Sequence, residues 1–128
     1  MNNVEDNIKE FMALKIFAVV GATDNPEKYG NKILNNLAKR GYELYPVNPK
    51  LEEISGIKCY AALSDIPVKV NVVDIVVPPR VTEKIVRECL KLGLMRVWMQ
   101  PGAESEDAIK FCEENGIKVI HDACVMMN

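Results

Sequence analysis

A chain of 128 residues fits one domain, and its 48% hydrophobic and 27% charged residues are an ordinary balance for a folded globule. The net charge of −2 marks no face as a whole for nucleic acid or anionic membrane, so any anion site must be local. No apolar run approaches the roughly 20 residues that span a bilayer, and the cysteines at 59, 89, 112 and 124 form no CxxC pair, which argues against zinc and against a disulfide scaffold.

The N-terminus, MNNVEDNIKE, is polar and acidic, unlike a secretory signal, and a reduced cytoplasmic setting is expected. Val4, Ile8, Phe11 and Met12 recur at helical spacing and predict a leading helix within residues 1–14. KIFAVVG follows as a near-continuous apolar strand, the pattern of a strand buried on both faces. A polar turn then holds Asn25-Pro26, read as a cap and a first-turn proline. In GNKILNNLAKRG, Ile33, Leu34, Leu37 and Ala38 share one helical face, and Gly41 stands where a helix ends.

YELYPVNP is the second strand, ended by Pro49. LEEISGIKCYAALSDIP is a polar connection with a short strand expected at Ile57–Tyr60 and a helical turn at Leu63–Ile66. VNVVDIVVPP is the third strand, stopped by two prolines. RVTEKIVRECLKLG is helical, with Val81, Ile85, Cys89 and Leu92 expected inward. LMRVWMQPG is the fourth strand, ESEDAIKFCEENG a helix with acids in its first turn, and IKVIHDAC the fifth strand.

Strands alternating with helices imply parallel pairing through right-handed crossovers. The expected fold is therefore α/β: one Rossmann-like, doubly wound domain over residues 1–128, with about five parallel strands and helices on both faces. In such sheets ligands bind beyond the carboxyl ends of the strands, where the strand order reverses. The turns after the first four strands meet there and bring Thr23, Asn25, Lys28, Asn48, Lys50, Arg80 and Gln100 to one edge.

Amides after Gly21 suit a phosphate oxygen, because the glycine has no Cβ and a helix starts just beyond. Thr23 adds a hydroxyl. An NAD-binding domain usually places an acid at the end of its second strand, to accept from the ribose 2′-hydroxyl. Here that place reads Val47, Asn48, Pro49, Lys50. A lysine there suits a ribose carrying a phosphate, as in NADP or coenzyme A. Tyr29, at the helix start, is near enough to lean on a ligand.

The segments VVGATDNPEKYG, YPVNPK, VDIVVPP and VWMQPGAESEDA together resemble the stand-alone CoA-binding domain proteins, which are related to the N-terminal domain of the succinyl-CoA synthetase α subunit. The likeness runs from about Ile16 to Cys124. It implies a domain that holds the ADP part of coenzyme A or an acyl-CoA. By that resemblance Ala22, Thr23, Asp24, Asn25 and Pro26 form the phosphate loop, and Lys50 meets a ribose phosphate. Asn48 and Pro49 flank the adenine, Val77, Pro78 and Pro79 wall its other side, and Met99, Gln100 and Pro101 border the pantetheine path. The synthetase's phosphorylated histidine lies in a second domain that has no counterpart here, and no catalytic pair is evident. His121 beside Asp122 is read as a strand-end histidine, since neighbouring strand residues point to opposite faces. Trp98, Cys89 and Cys112 are expected in the core, Cys59 in an exposed connection, and Cys124 near the carboxyl edge, where a thiol could meet that of CoA. An NAD(P)-binding oxidoreductase or redox sensor is the alternative, and an interaction protein with a decayed site is a third reading. The sequence leaves open a homo-oligomer or a partner subunit.

Overall fold

The computed structural model describes residues 4–128. Helix α1 (Val4–Ala13) leads into strand β1 (Ile16–Val20), helix α2 (Tyr29–Lys39) and strand β2 (Glu43–Val47). Two short strands, β3 (Glu53–Ile54) and β4 (Ile57–Lys58), form an antiparallel hairpin. A 3-10 turn at Leu63–Asp65 precedes β5 (Val72–Ile75), α3 (Pro79–Leu92), β6 (Arg96–Met99), α4 (Glu106–Glu114) and β7 (Lys118–Ile120). A last 3-10 turn spans Val125–Met127.

The main sheet has the order β2-β1-β5-β6-β7, with every pair parallel. The expected doubly wound α/β architecture is therefore present. Alternation along each strand divides two cores. Ala18, Val20, Val73, Ile75, Val97 and Met99 face α3 and α4, where they meet Val86, Cys89, Ala108 and Cys112. Phe17, Val19, Val72, Trp98 and Ile120 face α1 and α2, where they meet Phe11, Ile33, Leu34 and Leu37. Central strands buried on both sides read as unbroken apolar runs, as β1 does, and β5 departs from that pattern only at Asp74. Among the described residues, no helix is long and apolar enough to cross a membrane.

Several local expectations change. Helix α2 starts at Tyr29, not near Pro26, because the side chain of Asn25 accepts from Glu27 N at 3.0 Å and holds residues 25–28 in a turn. The expected strand at Ile57–Tyr60 is a two-residue hairpin arm, with Tyr60 bridging Val47 beyond it. On α3 the inward stripe is Thr82, Val86 and Cys89, whereas Val81 and Leu92 are both exposed. Cys59 is buried and its Sγ donates to the Asn48 carbonyl. Trp98, Cys89 and Cys112 are fully buried, as expected.

Candidate functional site

The chain leaves β1 toward β2 on one side and reaches β5 on the other, so the strand order reverses between β1 and β5. The loops after β1, β2 and β5 meet over that point. They enclose a cleft of about 480 Å³. Gly21, Asn48, Pro49, Lys50 and Val77 line it together, joined by Ala61, Ala62 and Leu63 from the connection and by Val81, Ile85 and Glu88 from α3. A second cleft of about 350 Å³ lies between the β5 and β6 loops, lined by Tyr29, Val77, Pro78, Pro79, Pro101 and Gly102. Val77 lines both, so the two form neighbouring stretches of one edge.

Gly21 turns the chain at the floor of the first cleft. Its φ of +98° lies in the region that glycine tolerates, and a Cβ added there would sit 2.3 Å from the Val76 carbonyl oxygen. Its amide donates to Val47 O at 3.1 Å, which ties the first loop to the end of β2. Gly30 has the complementary task. A Cβ on it would meet the Gly21 carbonyl oxygen at 2.3 Å, so the first turn of α2 rests directly on the glycine loop. The sequence reading missed this second glycine. Its signal was glycine inside a helical pattern, where glycine is disfavoured unless something approaches closely.

Asn48 clasps the two loops. Its Nδ2 donates to Ala22 O at 2.9 Å, and its Oδ1 accepts from Lys50 N at 2.8 Å. Its own amide donates to Tyr60 O at 2.9 Å. The residue thus sets the turn that carries Lys50, whose side chain is exposed at the mouth of the cleft. Thr23 is half-buried. Its Oγ1 accepts from Asn25 N at 3.3 Å, and its carbonyl accepts from Asn31 Nδ2 at 2.8 Å. Asp24, Asn25 and Lys28 are exposed along the same loop. Lys28 is the residue before α2, and no side chain caps that helix.

Three residues expected at the edge are turned away from it, and one of them, Met99, is fully buried in the core that faces α3 and α4. The Ala22 side chain is fully buried in the core beneath α2, so only its backbone faces the loop. Gln100 is also fully buried: its Nε2 donates to Asp74 Oδ1 at 2.5 Å and its Oε1 accepts from Val125 N at 3.1 Å. Both ends of that side chain are taken up by the fold. Asp74, on β5, is wholly buried, and burial pushes its carboxyl up to about 7 although the Gln100 hydrogen bond opposes the rise.

Tyr29 walls the second cleft and makes a 2.5 Å hydrogen bond between its hydroxyl and Cys124 Sγ. Burial first, then Cys124, and lastly the nearby charge of Asp74 hold its phenol protonated well above the usual tyrosine range. His121 does meet Asp122, with Nδ1 2.5 Å from Oδ2. The strand has ended at Ile120, and Asp122 has a φ of +61°, so strand alternation no longer separates them.

With this geometry in place, the comparisons decide the family. The family described as "CoA binding domain" matches residues 15–128. The chain belongs to that family. Among curated proteins, it is 30% identical over 125 residues to YneT of Bacillus subtilis, covering 97% of this chain and 93% of that one. It is 31% identical over 123 residues to acetate–CoA ligase [ADP-forming] I of Archaeoglobus fulgidus, covering 88% of this chain and 18% of the ligase. The chain thus spans less than a fifth of that enzyme. A hypothetical protein from Pyrococcus horikoshii OT3 of solved structure is 37% identical, with a TM-score of 0.91 over 98% of this chain and 89% of that one. The CoA-binding domain therefore occurs both nearly alone, at the size of this chain, and as a portion of a much longer ligase.

Proposed function

We propose that the first cleft holds the ADP portion of coenzyme A or an acyl-CoA, and that the second receives the pantetheine arm. Membership of a CoA-binding domain family supports the ligand class. The observation that carries the finer reading is the turn after β2, which presents an exposed lysine, and no acid, at the mouth of a largely apolar cleft floored by Gly21.

In this reading, the amides between Gly21 and Asn25, whose own amides are engaged by Val47 O and Thr23 Oγ1, and the uncapped start of α2 take the pyrophosphate, where the helix dipole favours negative charge. The Thr23 hydroxyl adds a donor, and Lys28 adds positive charge at the rim. Pro49 and Val77 sandwich the adenine, and Lys50 pairs with the ribose phosphate. Asn48 acts at one remove, by fixing both loops, and Gln100 and the Ala22 side chain take no part. Tyr29, Pro78 and Pro79 wall the pantetheine arm. The domain binds the cofactor without a catalytic step of its own.

A melting screen separates this from the NAD(P) reading. Ligand at 100 times its dissociation constant stabilises the folded state by about 2.7 kcal/mol, a readily measured rise in melting temperature. CoA is expected to raise it and NADPH is not. Protection by NADPH without protection by CoA would overturn the proposal.

A further inference from the structure

We infer that Glu88 reads the base of the bound nucleotide: its carboxylate accepts a hydrogen bond from the 6-amino group of adenine and disfavours a purine that carries an oxygen there. The assignment rests on the ADP reading of the first cleft. It starts from the charges that face that cleft. Lys50 stands at its mouth, and Glu88 is the one carboxylate of its lining, among otherwise uncharged residues.

Helix α3 sets Glu88 at the deep end. The helix begins at Pro79, directly after the β5 loop, and returns along the sheet toward the start of β6. Val81, Ile85 and Glu88 follow at i, i+4 and i+7, a single helical stripe, and all three line the cleft. Seven residues of helix put Glu88 about 10 Å beyond Val81 along the axis. Helical side chains lean toward the N-terminus, so the Glu88 carboxylate leans back up the stripe, toward the mouth.

The ordinary role of such a glutamate is unfilled. Lys84 and Lys91 stand one turn to either side on α3, at the spacing of helical ion pairs, yet Glu88 pairs with neither. Among the described residues its carboxylate has no hydrogen-bond or ion-pair partner. The residue is half-buried beside apolar walls. A carboxylate so placed is suited to a donor that a ligand brings.

The layout of charge orients the nucleotide. A phosphate meets like charge at Glu88 and opposite charge at Lys50, so the phosphates stay at the mouth and the base goes deeper. With the base between Pro49 and Val77, the edge that points along Val81 and Ile85 comes toward Glu88. Adenine presents an N–H donor at its 6-position. Hypoxanthine presents a carbonyl oxygen at the same place, so two acceptors would face each other without a proton between them.

The test is calorimetric displacement of bound CoA by ADP and by IDP, on the wild type, E88A and E88Q. For the wild type, ADP is expected to compete about tenfold or more better than IDP, the effect of one hydrogen bond to a charged acceptor. E88A should bring ADP down to the level of IDP. E88Q should narrow the gap from the other side, by strengthening IDP, because its amide can turn its NH2 toward the carbonyl oxygen. The ratio is taken within each variant, so a change in folded-state stability does not imitate the result. CoA binding with an ADP preference undiminished in E88A, or with a wild type that treats the two alike or favours IDP, would overturn this inference and leave the ligand reading intact. Absence of CoA binding, or failure of both diphosphates to displace it, would overturn both.

Discussion

Gly21 and Gly30 meet at one carbonyl, and that contact fixes how closely α2 approaches the loop that is proposed to bind phosphate. G21A must place a Cβ at 2.3 Å from Val76 O and also adopt a φ of +98°, so a loss of at least about 1–3 kcal/mol is expected. G30A gains roughly 1 kcal/mol of helix propensity. Its Cβ nevertheless collides with the Gly21 carbonyl oxygen, and a net loss of about 1–3 kcal/mol is expected. Urea unfolding measures both, and an unchanged midpoint for either would refute the contact. Asp74 sets a pH dependence of known sign. Its folded value of about 7 lies above the ordinary 3.8, so between those values the folded state binds the proton that the unfolded chain has released. Stability must therefore fall as pH rises from about 4 to about 7, and level off above that. D74N should remove this decline, seen as a flatter melting temperature between pH 5 and pH 8 than in the wild type. Gln100 illustrates what a sequence conceals at this scale. Its place after a strand puts it at the correct edge, but its rotamer, chosen by Asp74 and by Val125 N, carries it inward.

Helix α1 is anchored to the sheet in two ways of unequal strength. Glu10 pairs with Arg96 and Lys118, both at 2.6 Å, but all three side chains are about a third exposed. Phe11 is fully buried and meets Trp98 edge-on at 6.3 Å. F11A should destabilise by about 3–5 kcal/mol, whereas E10Q should lose no more than about 1 kcal/mol. Denaturant titration of the two variants would contradict this ranking if E10Q proved the worse. The hydrogen bonds from Arg96 and Lys118 hold the Glu10 carboxyl below its usual range, so its small contribution is present at neutral pH and disappears on acidification. The order of the five parallel strands and the helices between them was legible, because five apolar runs alternate with helical stripes and the sheet carries them in that role, whereas the hairpin arm Glu53–Ile54 and the last 3-10 turn were not. Helix facing and helix starts were less so. On α3 the apolar residues outnumber those the core can use, and Val81 and Ile85 are left to wall the cleft. At α2 an Asx turn at Asn25 delays the helix to Tyr29, since the side chain competes for the amides that helix formation needs. His121 and Asp122 were kept apart by assuming a strand that stops one residue earlier.

At the scale of the whole molecule, one parallel sheet brings three loops far apart in sequence over a single reversal point, and the net charge of −2 leaves any anion grip to those loops. This is why the location of the candidate cleft, with Gly21, Asn48, Pro49, Lys50 and Val77 of its lining, could be argued from the sequence while the rest of its lining could not. Ala61, Ala62 and Leu63 come from the irregular connection, whose path depends on Cys59 and Tyr60 hydrogen-bonding back to the β2 turn. The same chain-length unit recurs in YneT and as under a fifth of an acetate–CoA ligase, which fits a binding module able to stand alone or within a larger enzyme. The central claim is that Lys50 reads the ribose phosphate of coenzyme A. Calorimetric titration of the wild type and K50A with CoA and with dephospho-CoA tests it most directly. The wild type is expected to favour CoA by about 1.5–3 kcal/mol, the range of a charged hydrogen bond, and K50A to lose most of that preference. Equal affinity of the wild type for both ligands, or a preference undiminished in K50A, would contradict the account.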